Sequence, residues 1–135
     1  LDKYAYSTKE LEAMGGKAVT LHALGAEVTG NGDSKSSKVS VAQFKEGNFY
    51  LEVTAAATDA GDTLDVDIIT QDPISGAWHI INSFTQVLGN GGAKSEGKYN
   101  AANMGEYIAM QWTVVNTSTA DASFTFSIGA YLKVK

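Results

Sequence analysis

Residues 123–134 read Ser-Phe-Thr-Phe-Ser-Ile-Gly-Ala-Tyr-Leu-Lys-Val, and apolar and wettable positions alternate through them without a break. Phe124, Phe126, Ile128, Ala130, Leu132 and Val134 share one parity, while Ser123, Thr125, Ser127, Gly129, Tyr131 and Lys133 share the other. Side chains of a β-strand project alternately to its two faces, so the pattern describes a strand with one face on a core and the other in water. A helix would scatter the same apolar set around its circumference. Tyr131 falls on the wettable side and is expected to point outward.

The same period recurs upstream. Ile108, Met110, Trp112 and Val114 share a parity within Tyr107–Val115, and Leu64, Val66 and Ile68 alternate with Asp65 and Asp67. Phe49, Leu51 and Val53 alternate with Tyr50, Glu52 and Thr54, preceded by Val39 and Val41 across a turn at Glu46-Gly47-Asn48, which reads as a hairpin. Trp78, Ile80 and Ile81 open a strand that runs through Phe84, a weak strand is expected from Lys98 to Ala102, and Lys17–Thr29 carries Val19, Leu21 and Ala23 on one parity. Between these lie turn-forming stretches: Gly30–Ser37, Thr58–Asp62, Asp72-Pro73-Ile74-Ser75-Gly76, Gly89-Asn90-Gly91-Gly92 and Asn116–Asp121. The glycine-rich stretch at 89–92 is expected to be the most flexible of them. Seven or eight strands without an internal helical pattern predict an all-β chain, an antiparallel β-sandwich or jelly roll. Leu64, Val66, Ile68, Trp112, Phe124, Phe126 and Ile128 are the expected core, with Trp78 beside them.

The first sixteen residues differ. Ser7-Thr8-Lys9-Glu10 has the spacing of a capping box, Leu11 and Met14 follow, and Gly15-Gly16 would end a turn or two of helix. Such a piece is too short to be stable alone and must dock on something. The organisation is therefore an N-terminal arm, residues 1–16, and a sandwich domain, residues 17–135. Tyr4, Tyr6, Leu11 and Met14 are apolar groups that a free tail has no reason to keep. Together with Tyr131 they form the candidate interface set. The arm can reach a neighbouring copy or fold back over its own sandwich.

Composition narrows the function. The 135 residues contain no cysteine, which removes disulfides, thiolate metal sites and a cysteine nucleophile at once. Ten basic residues against 15 acidic ones give a net charge of −5, which opposes binding to a phosphate backbone. No apolar run is long enough to span a bilayer, and no charged-then-apolar leader is visible. Neither nucleic acid nor membrane is an expected partner.

Candidate chemistry is thin. His22 and His79, the two histidines, lack metal-ligand spacing, and no Gly-x-Ser-x-Gly elbow accompanies them. They read as surface or hydrogen-bonded residues. Asp59, Asp62, Asp65, Asp67 and Asp72 concentrate acids that calcium could use, yet Asp65 and Asp67 alternate with core positions and read as a solvated face. Lys94 after the glycine-rich stretch lacks phosphate-loop spacing. The expectation is no catalytic residue, no metal and no cofactor: the chain is not read as an enzyme.

One resemblance adds a specific reading. The stretch Asp62-Thr63-Leu64-Asp65-Val66-Asp67-Ile68-Ile69-Thr70-Gln71-Asp72, then Ser75-Gly76-Ala77-Trp78, then Phe84-Thr85-Gln86-Val87, resembles small structural proteins of tailed-phage virions. Tyr107-Ile108-Ala109-Met110-Gln111-Trp112 and the strand from Ser123 to Leu132 continue the likeness, which covers roughly residues 47 to 134. The resemblance implies a head decoration or auxiliary β-sandwich protein on the virion surface, a homo-oligomer with a trimer favoured, and a major capsid protein as partner. It carries over no catalytic residue. A carbohydrate-binding or adhesion module, using exposed aromatic rings, is the competing expectation.

Overall fold

The computed structural model describes residues 16–101, 103–117 and 122–134. Tyr4, Tyr6, Leu11, Met14 and the helical turn expected after Ser7 lie outside the described residues, and Gly16 is the one part of the arm within them. Strands follow in the order β1 (Lys17–Val28), β2 (Gly32–Asp33), β3 (Val39–Ser40), β4 (Glu46–Ala55), β5 (Thr63–Gln71), β6 (Trp78–Ser83), β7 (Val87–Leu88), β8 (Lys94–Ala101), β9 (Tyr107–Val115) and β10 (Phe124–Lys133). Among the described residues the helical part is one short turn, Lys35–Ser37.

The strands form two antiparallel sheets. Sheet A has the order β1-β10-β4-β8, and sheet B the order β2-β9-β5-β6, with β3 also on β9 and β7 also on β5. Taking β2 with β3, and β6 with β7, as two interrupted strands leaves four strands per sheet among the described residues. Each sheet then interleaves strands from both halves of the chain, which is the order of a jelly roll. The expected all-β sandwich is what the chain forms.

Register explains how the core closes. Across sheet A, Phe126 faces Val53, Ile128 faces Leu51 and Ala130 faces Phe49. Across sheet B, Leu64 faces Val114, Val66 faces Trp112 and Ile68 faces Met110. Phe49, Leu51, Leu64, Ile68, Met110, Phe124, Phe126, Ile128 and Leu132 are fully buried between the layers. Val41, Phe44, Phe84 and Val87, from short strands and connections, complete the same core.

Several expectations are corrected by packing. Trp112 packs on the core but is only half-buried, because it lies at the rim beside β2, where its indole N–H donates to the Gly30 carbonyl at 2.7 Å. Trp78 is likewise half-buried, since β6 is the outer strand of sheet B. In β1 the pairing slips between Thr20 and His22 and again before Ala26, around Gly25 with its positive φ of 75°. Such a bulge moves side chains to the opposite face, so Ala23 is exposed. Strand β8 begins at Lys94 rather than Lys98. Its core-side parity carries Lys94, Glu96 and Lys98, opposite the inward Val53, Leu51 and Phe49, so it shows no apolar alternation. Gly89 is buried, and a Cβ there would stand 2.1 Å from the Asp59 carbonyl oxygen: it is a packing glycine, not a free hinge.

Candidate functional site

The five clustered acids go to different places, and Asp59 is exposed in the turn before β5. Asp65 accepts from the Gln86 amide at 3.0 Å, and Asp67 from the Ser83 hydroxyl at 2.7 Å and the Gln111 amide at 3.2 Å, making a polar ladder on the outer face of sheet B. Asp72 caps its own turn, accepting from the Ile74 N–H at 2.8 Å and the Ser75 hydroxyl at 2.7 Å; these donors, the Ile74 N–H first, hold its pKa below the ordinary carboxylate value. Asp62 is fully buried and ties turns together at one end of the sandwich. Among the described residues no three His, Asp or Glu side chains gather where a metal ion would fit.

Glu96 went unnoticed in the sequence because it sits on a charged parity. Partial burial opposes its ionisation, but the Thr85 N–H at 2.8 Å, Lys98 at 3.2 Å and the Thr85 hydroxyl at 3.1 Å outweigh that and lower its pKa. It clips the β6–β7 connection of sheet B to the edge of sheet A.

His22 meets the expectation of a surface or hydrogen-bonded histidine only in part, through a hydrogen bond with the Ala26 backbone. Its ring stacks on Phe126 at 4.4 Å between centroids and lies 5.0 Å from the Trp112 ring, and its Nε2 is buried without a hydrogen-bond partner. Burial lowers its pKa, and a hydrogen bond with the Ala26 backbone works against this more weakly. Because the folded pKa lies below the unfolded one, about 6.5, the unfolded chain binds more protons in that interval. Stability is therefore full above about pH 6.5 and declines as pH falls toward the folded value. Tm measured at steps from about pH 7.5 to 5 is expected to fall, and His22→Phe is expected to flatten that part of the curve. An equally steep curve in the variant would show that His22 does not cause it.

The outer face of sheet A is different in kind from that of sheet B. Tyr50, Tyr99 and Tyr131 project from it with 37%, 65% and 40% of their surface exposed. The Tyr50 and Tyr99 rings meet edge-on with centroids 5.9 Å apart, and the Asn48 amide donates to the Tyr50 hydroxyl at 3.2 Å. Gly97 and Gly129 flank Tyr50 in register, with Thr20 beyond Gly129 and Ala18 beside Tyr131. The Tyr99 ring lies over Gly97, where a Cβ would come within 2.4 Å of it. Charges on this face are engaged: Glu52 accepts from Ser95 at 2.7 Å, and Glu46 pairs with Lys133 at 3.7 Å. The result is a group of rings rising from small, uncharged neighbours. Exposed tyrosines of this sort supply apolar contact area at low conformational cost. Tyr131 was legible as outward from its parity; Tyr50, opposite Phe49 and Leu51, carried the same signal, whereas Tyr99 lay in a strand without clear alternation.

A concavity of about 330 Å³ lies at the β2 edge of sheet B and is lined by Asn31, Gly32, Asp33, Gln111, Trp112 and Thr113. Its polar groups are partly committed. The Asn31 oxygen accepts from the Val114 N–H at 2.7 Å and an Asp33 oxygen from the Lys35 N–H at 3.0 Å. The indole packs on Gly32, where a Cβ would stand 2.3 Å away, and also meets His22 and Phe126. It therefore offers an incoming ring an edge more than a face.

No protein-family model matches the chain, and no curated protein matches it. Among the described residues no helix is long and apolar enough to cross a membrane.

Proposed function

We propose that the chain is a virion structural protein, a capsid decoration or auxiliary protein that assembles on the particle surface as a homo-oligomer, with a trimer favoured, against a major capsid protein. The observation that supports this reading is the group of exposed tyrosines on the outer face of sheet A, which offers apolar area for protein contact. The sequence resemblance to tailed-phage structural proteins supplies the particle. Jelly rolls recur in viral shells and in lectins alike, so the fold by itself favours neither.

The test replaces Tyr50 and Tyr99 with serine and measures self-association by sedimentation velocity. Each tyrosine at the centre of an interface is expected to contribute about 2 kcal/mol, so its loss weakens association roughly 30-fold while the far-UV spectrum is retained. Unchanged association in the double variant would remove this face from the interface.

Carbohydrate binding is the second reading, and the cleft lined by Asp33, Gln111, Thr113 and Trp112 is the observation that favours it. Binding of a glycan that Gln111→Ala abolishes would move the function there.

A further inference from the structure

We propose that Asn90 is a site of spontaneous covalent modification, where asparagine converts to aspartate and isoaspartate, and that the fold withholds the same reaction from Asn31. The inference rests on the fold and not on the virion reading.

The chemistry begins in the sequence. Asparagine is followed by glycine twice, at Asn31-Gly32 and at Asn90-Gly91. A backbone nitrogen can attack the side-chain carbonyl carbon of the asparagine before it, and a glycine places no side chain in the way. The new bond joins the glycine nitrogen to the asparagine Cγ. The side-chain NH₂ group takes up the proton that this nitrogen gives up and leaves as ammonia, and a five-membered cyclic imide remains. Water then adds to one of the two ring carbonyls and breaks its bond to the nitrogen. Opening at the side-chain carbonyl leaves aspartate in an ordinary backbone. Opening at the backbone carbonyl leaves isoaspartate, whose backbone runs through the side chain and is longer by a methylene group. Water is the only co-reactant.

The fold separates the two positions. Asn31 is held: its side-chain oxygen accepts from the Val114 N–H at 2.7 Å, and the Trp112 indole donates to the Gly30 carbonyl just before it at 2.7 Å. Gly32 pairs with Trp112 in sheet B, and the same indole packs on it where a Cβ would stand 2.3 Å away. Bringing the Asn31 Cγ onto the Gly32 nitrogen would break the bond to β9 and leave the Val114 N–H unpaired.

Asn90 has no such restraint. It is exposed in the turn after β7, and among the described residues its side-chain amide has no hydrogen-bond partner. The Gly91 N–H donates to the Leu88 carbonyl at 3.0 Å, a bond within the turn that the attack must release. Gly92 follows with a φ of 69° and open space where a Cβ would stand. The turn is nevertheless anchored on both sides of Asn90. The Gly89 N–H donates to the Asp62 carbonyl at 2.8 Å, and the Gly92 N–H to the Ala56 carbonyl at 3.2 Å. A methylene inserted at Asn90 lengthens the chain between these anchors, so isoaspartate there loosens the turns that Asp62 ties together.

The test ages the full-length chain in warm, mildly alkaline buffer beside a sample unfolded in urea. Asn31 and Asn90 fall in different tryptic peptides, and tandem mass spectrometry reads the exchange of NH₂ for OH at each. In the folded chain Asn90 is expected to convert roughly ten-fold faster than Asn31, the factor that one further hydrogen bond to be broken supplies. In urea the two are expected to convert at similar rates. The aged folded chain is expected to accept methyl groups from an isoaspartyl methyltransferase and to melt at a lower temperature, whereas an Asn90→Gln chain aged in the same way keeps its Tm. Equal rates at the two positions in the folded chain would overturn the proposal, as would an Asn90 that stays intact over an interval in which the urea sample converts. An equal loss of Tm in Asn90→Gln would overturn the link to the turns around Asp62.

Discussion

Truncating Phe126 to alanine is expected to cost about 3–5 kcal/mol of folding stability, and to lower Tm by roughly 10–20 °C. Phe126 is fully buried at the centre of sheet A, where β10 runs between β1 and β4, and it faces Val53 on one neighbour and Ala26 on the other. Its ring also carries the stack with His22 at 4.4 Å and meets Trp112 at 6.0 Å. Removing it withdraws apolar surface from a packed interior and leaves a cavity that two hydrogen-bonded sheets cannot collapse to fill. Thr125→Ala, one residue away on the outer parity, is the control and is expected to stay within about 0.5 kcal/mol. Urea unfolding of both variants checks this. A loss below about 1 kcal/mol at Phe126 would contradict the register of β10, because a shift of one residue exchanges its two faces.

That contrast between neighbours also shows why the fold could be read from sequence. In β4, β5 and β10 both adjacent strands are in place and one face meets the opposite sheet, so burial writes itself into composition at every second residue. Where a strand is at an edge or bends, the rule weakens. Strand β8 points Glu96 and Lys98 toward the mouth of the sandwich, β6 leaves Ile80 57% exposed, and β1 changes parity at its bulge. Trp112 kept the right parity but sits at a rim, and distance from the rim is a property of strand pairing across Gly30 and Gly32 rather than of local pattern.

The surfaces were legible in the same uneven way. Outward tyrosines in regular strands follow from alternation, but their grouping does not. Tyr50 and Tyr99 are brought together by β4 pairing with β8, and Tyr131 joins the same face because β10 pairs with β4. The acids illustrate the converse. Alternation marks Asp65 and Asp67 as a solvated face, and the fold sends both outward; it leaves Asp59 exposed, turns Asp72 to its own loop and carries Asp62 into the interior, which spacing alone does not separate.

Asp62→Asn is expected to lower Tm by several degrees near neutral pH and to remove part of the protein's acid sensitivity. The Asp62 carboxylate is fully buried, and among the described residues it accepts four hydrogen bonds. One oxygen accepts from the Thr117 N–H at 2.8 Å and the Thr117 hydroxyl at 3.1 Å; the other accepts from the Thr58 hydroxyl at 2.6 Å and the Asp59 N–H at 3.3 Å. Its backbone extends the knot, with the Gly89 N–H donating to the Asp62 carbonyl at 2.8 Å and the Thr58 N–H to the Gly89 carbonyl at 2.8 Å. The turn before β5, the loop after β7 and the chain leaving β9 are thereby held together. An asparagine amide presents one oxygen and one NH₂ group to four donors. The hydroxyls can rotate away, but one backbone N–H must then face another donor. The Thr58 hydroxyl first, then the Thr117 N–H, hold the Asp62 pKa below the ordinary carboxylate value, against the opposing effect of burial. A carboxylate depressed in the folded state contributes stability that is complete above its unfolded pKa, about 3.9, and is lost as pH falls through the folded value. Asp72 and Glu96, whose pKa values are also lowered, remain in the variant, so the difference between the two curves of Tm against pH isolates Asp62. That difference is expected to be widest near neutrality and to narrow as pH falls below about 4. A gap that stays constant down to pH 2 would mean that the carboxylate charge is not what the four donors recognise.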